Sequence, residues 1–358
     1  MKKTFENIAY VGTYTHKQSQ GIYSMYMDPE AGRIEVGDLV AKITNPSYIA
    51  ITKDNKYLYS VIETEEFNGE PGGGVAAFAM DNTTGMITPI NTKSSYGKLP
   101  CHLLVDSSNK YLYVANYGDG MVSAYELRED GGIGRLIENV NNGRFRTVDD
   151  QLPHAHCVLF TPDNRYLCAV DLGVDRVIAY GLNDDGTFKD FDSHTVDVDR
   201  GSGPRHMVFH PNSKFAYIIN ELSSDIVVVS YSHSDARFVP IQKISTLPDD
   251  FSGKNYCAAI YVSKDGNYLY ASNRGHNSIA IYNIDESTGK LSLVSYTPTF
   301  GEFPRDFAIH PTGDFVVVAN QNTNNIVLFA VDRKTGKLEL MENITGIDSP
   351  VCIKFPNV

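Results

Sequence analysis

Arg205 and Glu221 lie in one stretch, GPRHMVFHPNSKFAYIINELSSD, in which two apolar runs meet at the turn HPNSK. Strand side chains alternate between faces, and partners sit symmetrically about a hairpin turn. A turn centred near Ser213 therefore brings the guanidinium of Arg205 opposite the carboxylate of Glu221. Such a pair suits a cross-strand ion pair or a scaffold that orients a catalytic group. Similar segments elsewhere in the chain carry more chemistry at the same two positions. The first position is Ser47, Cys101, His156, Arg205, Ala258, Arg305 and Val351 in turn. The second, across the hairpin, is Glu63, Tyr117, Leu172, Glu221, Arg274 and Gln321, with Tyr14 in the remaining place. Both sets leave their hairpins at the same end, so His156, Arg205, Glu221, Arg274 and Arg305 are expected around one opening. Unpaired buried charge is costly, so these groups need partners or a ligand. A neutral histidine or a carboxylate can move a proton, a guanidinium can face a developing negative charge, and arginine grips phosphate or carboxylate with two bonds.

The elements that must position these residues form a repeat. Six segments share one pattern of apolar strand, turn with Asp, Asn or Gly, and aromatic strand. They begin at Pro46, Pro100, Ala155, Pro204, Cys257 and Pro304, roughly 50 residues apart, a period that marks four-stranded propeller blades. Third strands such as GIYSMYM, DIVVVSY and NIVLFAV, and weaker fourth strands such as FVPIQKI and LELMENI, each number seven. The missing hairpin is split: PVCIKF at the C-terminus supplies a first strand and IAYVGTYT near the N-terminus a second. The chain is thus expected to be all-β, one seven-bladed propeller domain over residues 1–358, with the last blade closed by both termini. Ring closure removes exposed sheet edges.

Other features narrow the function. A net charge of −12 and a pI near 5.3, without a basic stripe, exclude a general nucleic-acid binder. The opening MKKTFENIAY has no apolar core of a secretory signal, and no run reaches the roughly 18 apolar residues of a membrane span. The five cysteines (Cys101, Cys157, Cys168, Cys257, Cys352) form no CxxC pair and read as buried reduced thiols. A cytoplasmic protein, monomeric or weakly homo-oligomeric, is expected. Asn116, Asp171, Asn220, Asn273 and Asn320 form a further ring, which suits a hard cation or, more simply, side-chain bonds where each second strand ends. His102, His206 and His154 lie just off the first ring and read as structural; His210 and His310 occupy matched turns. The insertion TEEFNGEPGGG (Thr64 to Gly74) reads as a flexible, solvated loop near the mouth.

GTYT followed by GIYS, then PHAHCVLFTPDNRYL, DLGVDRV, GPRHMVFHP, NEL and SNRGHNSI together resemble the propeller-type lactonases. That group includes bacterial 6-phosphogluconolactonases and the fungal carboxymuconate cyclase, and the likeness runs over essentially the whole chain. The resemblance implies a seven-bladed propeller and active-site groups at His156 in PHAH, Arg205 in GPRH, Glu221 in NEL and Arg274 in SNRG. His154, in the same PHAH, is a further candidate for substrate contact. The expected function is hydrolysis of 6-phospho-glucono-δ-lactone, a pentose phosphate pathway step, without metal or organic cofactor. His156, Glu221 and Arg205 would be catalytic, and Arg274, Arg305 and His154 would bind an anionic sugar lactone. Which of His156 and Glu221 is the base stays open. The same residues also suit cycloisomerisation of a carboxymuconate-like diacid, and the fold alone would suit a protein-binding propeller.

Overall fold

The structure, a computed structural model, describes residues 4–357 apart from the side chains of 190–193. Seven four-stranded antiparallel sheets are arranged in sequence order. We number the blades by their innermost strands: Ile49–Ile51 (blade 1), Pro100–Val105 (2), Ala155–Phe160 (3), Pro204–Phe209 (4), Tyr256–Val262 (5), Pro304–Ile309 (6) and Pro350–Lys354 (7). In blade 7 the innermost strand pairs with Ile8–Thr13, in the register Tyr10↔Lys354 and Val11↔Ile353, and Gly21–Asp28 and Arg33–Lys42 complete the sheet. The ring is thus closed by both ends of the chain, as the split hairpin implied. No helix among the described residues is long and apolar enough to cross a membrane.

The apolar residues bury between blades rather than in one central core. One cluster at each interface joins neighbouring sheets, such as Tyr217, Ile219 and Ile226 of blade 4 with Cys257, Ile260 and Leu269 of blade 5. Second strands therefore pack on both faces, and Phe215–Asn220 is buried at every position. A hydrogen bond recurs with this packing. Tyr59 Oη donates to the Gly131 carbonyl of the next blade at 2.7 Å, and Tyr10, Tyr113, Tyr217 and Tyr270 make the same bond to Gly85, Gly186, Gly289 and Gly336. Each of these glycines has a positive φ, which glycine adopts freely.

Two backbone features aim the innermost strands. The residue before each inner-strand proline has a positive φ: Asn45, Leu99, Gly203, Phe303 and Ser349. The next residue but one is out of register, with shifts between Pro100 and His102, Ala155 and Cys157, Pro204 and His206, and Pro304 and Asp306. Cys101, His156, Arg205 and Arg305 therefore sit in β-bulges, which redirect a side chain away from the ladder.

Side chains from non-adjacent blades meet only across the central channel, so their contacts show that it is filled below the bulges. His206 of blade 4 packs edge-on to His102 of blade 2, 5.7 Å between ring centroids, and His102 lies 3.9 Å from the ring of Tyr48 of blade 1. Lys354 of blade 7 donates to Tyr48 Oη at 3.1 Å and to Tyr261 Oη of blade 5 at 3.4 Å. Tyr261 Oη in turn donates to Asp306 of blade 6 at 3.1 Å. Lys354 thus ties the closing strand to blades 1, 5 and 6 and spans the lumen. The Thr64–Gly74 insertion differs from expectation. It holds a small hairpin, Glu66–Phe67 with Glu70–Pro71, and Phe67 packs against the blade 7–blade 1 cluster, so burial of one aromatic ring orders it. Lys354→Met is expected to lower stability by about 1–3 kcal/mol, the usual cost of stranding buried hydrogen-bond partners, in urea unfolding. Stability equal to the parent's would contradict the closing role of Lys354.

Candidate active site

Glu221 follows the second strand of blade 4 and meets two arginines on one oxygen. Arg205 Nε lies 3.1 Å and Arg274 Nη2 2.7 Å from Glu221 Oε2. The Arg205 contact is an ion pair by distance, but Nε lacks hydrogen-bond geometry to any acceptor. Arg205 also donates from Nη1 to the Ala258 carbonyl at 2.8 Å and lies 3.2 Å from His206 Nε2. Arg274 donates from Nε to the Tyr256 carbonyl and from Nη2 to the Cys257 carbonyl, with its guanidinium over the Phe303 ring at 5.0 Å. Both arginines are almost fully buried, at 2% and 4% exposure. Among the described residues, each keeps one terminal nitrogen without a partner.

Burial alone would push the Glu221 carboxyl up, but Arg274, Arg205 and Arg305 outweigh it and hold its pKa below the ordinary value. It is a carboxylate pinned between cations, with Oε2 taken by both arginines. Burial lowers the Arg274 pKa to about 10, aided by the neighbouring Arg205 charge, so it remains a cation at neutral pH.

His156 is buried (5% exposed), beside the rings of Tyr117 and His206. Its Nδ1 is buried without a hydrogen-bond partner. Desolvation, then the charges of Arg205, Arg305 and Arg274, push its pKa well below the usual histidine value. It is a neutral imidazole under a positive field. His154 lies nearby but is committed: its Nδ1 meets the Tyr117 carbonyl at 2.7 Å, its ring stacks on Tyr117, and its N–H donates to Asp171. Cys101 is buried, its Sγ directed at the Ala155 and His156 carbonyls, and burial raises its thiol pKa far above normal, which removes it as a nucleophile. All five cysteines are buried and unbridged.

Arg305, on the blade after Arg274, differs from the other two arginines. Among the described residues it forms no hydrogen bond or ion pair; its one close partner is the face of Tyr14, 5.2 Å from guanidinium to ring centroid. Neither Asp306, its neighbour in sequence, nor Gln321, across the hairpin, holds it. Asp306 is spent on Tyr261 and the Ile353 N–H, and Gln321 Oε1 is buried without a partner. Tyr14 donates to Glu63 Oε1 at 2.9 Å, and Ser47 Oγ donates to the same carboxylate. Tyr14, Glu63, Ser47 and Gln321 appear in the sequence only as occupants of the two rings. Their ring position was the signal, but nothing local marked them as partners.

The Asn/Asp ring is engaged largely in side-chain bonds where the second strands end, although the Oδ1 atoms of Asn116, Asn220 and Asn320 are buried without a partner among the described residues. Asn273 and Asn320 donate to the carbonyls of Thr246 and Thr299, in the segments arriving from the previous blade. Asp171 receives three backbone N–H groups and the Asn142 amide. Among the described residues, no three His, Cys, Asp or Glu side chains are grouped to hold a metal ion. A cleft of about 560 Å³ lined by Asp119, Arg144, Arg146 and His154 opens beside the Tyr117–His154 stack, and one of about 430 Å³, lined by Lys110, Tyr111, Phe160 and Arg165, opens between blades 2 and 3 on the opposite face.

A family profile described as "Lactonase, 7-bladed beta-propeller" matches residues 8–355. The chain is 40% identical over 349 residues to a Bacillus subtilis protein named 6-phosphogluconolactonase, covering 97% of this chain and 98% of that one. Among solved structures it is similar to a Lactobacillus plantarum protein, with 35% identity, TM-score 0.89, and coverage of 98% and 99%. It is also similar to the Pseudomonas aeruginosa periplasmic gluconolactonase, with 30% identity, TM-score 0.91, and coverage of 98% and 99%.

The buried histidines set an expected acid response. His102, His156 and His206 all have pKa values far below 6.5, chiefly through desolvation and then through nearby cations. Below that pH the unfolded chain binds more protons than the folded one. Stability is therefore complete above about pH 6.5 and falls as pH drops toward the depressed folded values, by up to ~1.4 kcal/mol per pH unit for each histidine. Urea unfolding between pH 7.5 and 5 measures this; a flat profile would contradict a neutral buried trio.

Proposed function

The chain belongs to the seven-bladed β-propeller lactonase family, and on that footing we propose that it hydrolyses 6-phospho-glucono-δ-lactone to 6-phosphogluconate. The observation that carries the reading is a neutral buried imidazole, His156, set among three guanidinium groups of which one, Arg305, is unclaimed by the protein. A strained lactone carbonyl is already electrophilic, so the site needs to supply little beyond a base and a positive field.

In this mechanism water adds to the lactone carbonyl carbon and gives its proton to His156. The oxyanion forms against the free terminal nitrogens of Arg205 and Arg274, which are held in place beforehand and need no reorganisation. Collapse breaks the ring C–O bond, and the imidazolium returns the proton to the departing alkoxide. The product acid then ionises to solvent. Glu221 fixes the two arginines and stays ionised throughout, which leaves His156 as the base. The phosphate is held by guanidinium groups of the mouth, Arg305 foremost, and His154 frames the entrance through its stack on Tyr117. No metal or organic cofactor enters the scheme.

A second reading follows from the P. aeruginosa relative, whose name gives an unphosphorylated gluconolactone as substrate. Freshly generated 6-phospho-glucono-δ-lactone and glucono-δ-lactone, compared above spontaneous hydrolysis, separate the two; preference for the phosphorylated lactone is expected. His156→Gln is expected to lower kcat by about 10²–10⁴-fold, the usual worth of a general base, with KM little changed. A folded His156→Gln protein with the parent kcat would contradict the mechanism. Absence of hydrolysis of either lactone would contradict the reaction and direct attention to muconate-type diacids.

A further inference from the structure

The mouth is divided electrically. On the blade 4–blade 5 side, Arg205 and Arg274 share Glu221 and spend further donors on backbone carbonyls. On the adjoining blade 6, Arg305 forms no hydrogen bond or ion pair among the described residues and lies over Tyr14 of blade 7. Tyr14 is itself fixed: its hydroxyl is bound by both oxygens of Glu63 of blade 1, at 2.9 and 3.1 Å. Ser47 holds the same carboxylate. The adjoining backbone is pinned too, since Thr15 N–H and Oγ1 both donate to Asn45 Oδ1, and Asn45 donates to the Glu63 carbonyl. Gln321 leaves blade 6 at the same end as Arg305, and its buried Oε1 lacks a partner. One side of the mouth therefore offers an unclaimed cation on a rigid aromatic platform beside an orphan acceptor.

We propose that Arg305 and Gln321 form the subsite for the anionic end of a polyhydroxylated substrate, and that Tyr14, clamped by Glu63, is the positioning residue that sets Arg305. This inference rests on the lactonase reading for its substrate but not for its geometry. An anion satisfies the free guanidinium in two bonds, and a neighbouring sugar hydroxyl satisfies Gln321. The aromatic face holds the guanidinium by cation–π attraction without consuming an N–H, which leaves every donor for the ligand. The arrangement selects a phosphorylated lactone over its neutral counterpart at the end of the molecule away from His156.

The test combines calorimetric titration of the full chain with inorganic phosphate, 6-phosphogluconate and gluconate, and steady-state kinetics on both lactones. Arg305→Met is expected to weaken phosphate and 6-phosphogluconate by about tenfold or more, the usual weight of a hydrogen bond to a charged group, and to weaken gluconate, which carries only the carboxylate, by less. Tyr14→Leu is expected to raise KM for the phosphorylated lactone alone, with kcat held within about twofold. Tyr14→Phe keeps the platform and is expected to recover most of that loss. If Tyr14→Leu does not fold, Tyr14→Phe and Arg305→Lys carry the comparison, each expected to give a smaller rise confined to the phosphorylated lactone. Arg305→Met binding phosphate and 6-phosphogluconate like the parent would overturn the subsite, as would Tyr14 variants that lower kcat equally on both lactones. A parent protein that binds phosphate through Arg305 but hydrolyses neither lactone would support the subsite and remove the reaction.

Discussion

One carboxylate oxygen governs the mouth. Glu221 Oε2 is shared by Arg205 of its own blade and Arg274 of the next. Two guanidinium groups buried this deeply would repel each other and pay heavily for lost hydration without it. With it, they become fixed donors, braced by the Ala258, Tyr256 and Cys257 carbonyls. Glu221 and Glu63 together do not cancel three arginines, and burial first, then the surplus positive charge, keeps His156 unprotonated. Glu221 therefore serves the site as a counter-ion, and in the proposed mechanism the proton-handling role passes to the histidine.

The rest of the architecture delivers groups to that carboxylate. Cohesion resides between blades, in seven apolar clusters and the recurring tyrosine-to-glycine bonds, so the innermost strands are free to carry polar side chains at their ends. The bulges at Cys101, His156, Arg205 and Arg305 release those residues from the ladder. Below them, Tyr48, His102, His206 and Lys354 fill the lumen. The mouth is consequently a blind basin, where charges act across a water-poor space and are worth more than in bulk solvent.

Much of this was legible in the sequence because a repeat lets one position be read seven times. The blade period, the split seventh blade, the two rings and the Arg205–Glu221 pairing all follow from spacing and alternation. What stayed hidden depends on contacts between blades roughly 50 residues apart in the chain. Arg274 reads as a free phosphate ligand until the Tyr256 and Cys257 carbonyls are seen to occupy it, whereas Arg305, flanked in sequence by Asp306, is the one left unclaimed. The regular alternation used to pair the rings also omits the bulges, which depend on backbone register rather than residue type. Glycine-rich composition suggested a flexible Thr64–Gly74 segment, and only the seat of Phe67 against blades 7 and 1 shows why it is ordered.

The central claim is that His156 is a neutral base whose proton affinity is suppressed first by burial and then by the arginine charge around it. The most direct measurement is the titration of its imidazole by NMR, assigned through a His156→Gln protein, with and without saturating 6-phosphogluconate. The account predicts no protonation of the free protein's His156 near pH 6, and a rise in its pKa when the bound anion offsets the arginines. A His156 that titrates near 6.5 and ignores the anion would contradict it.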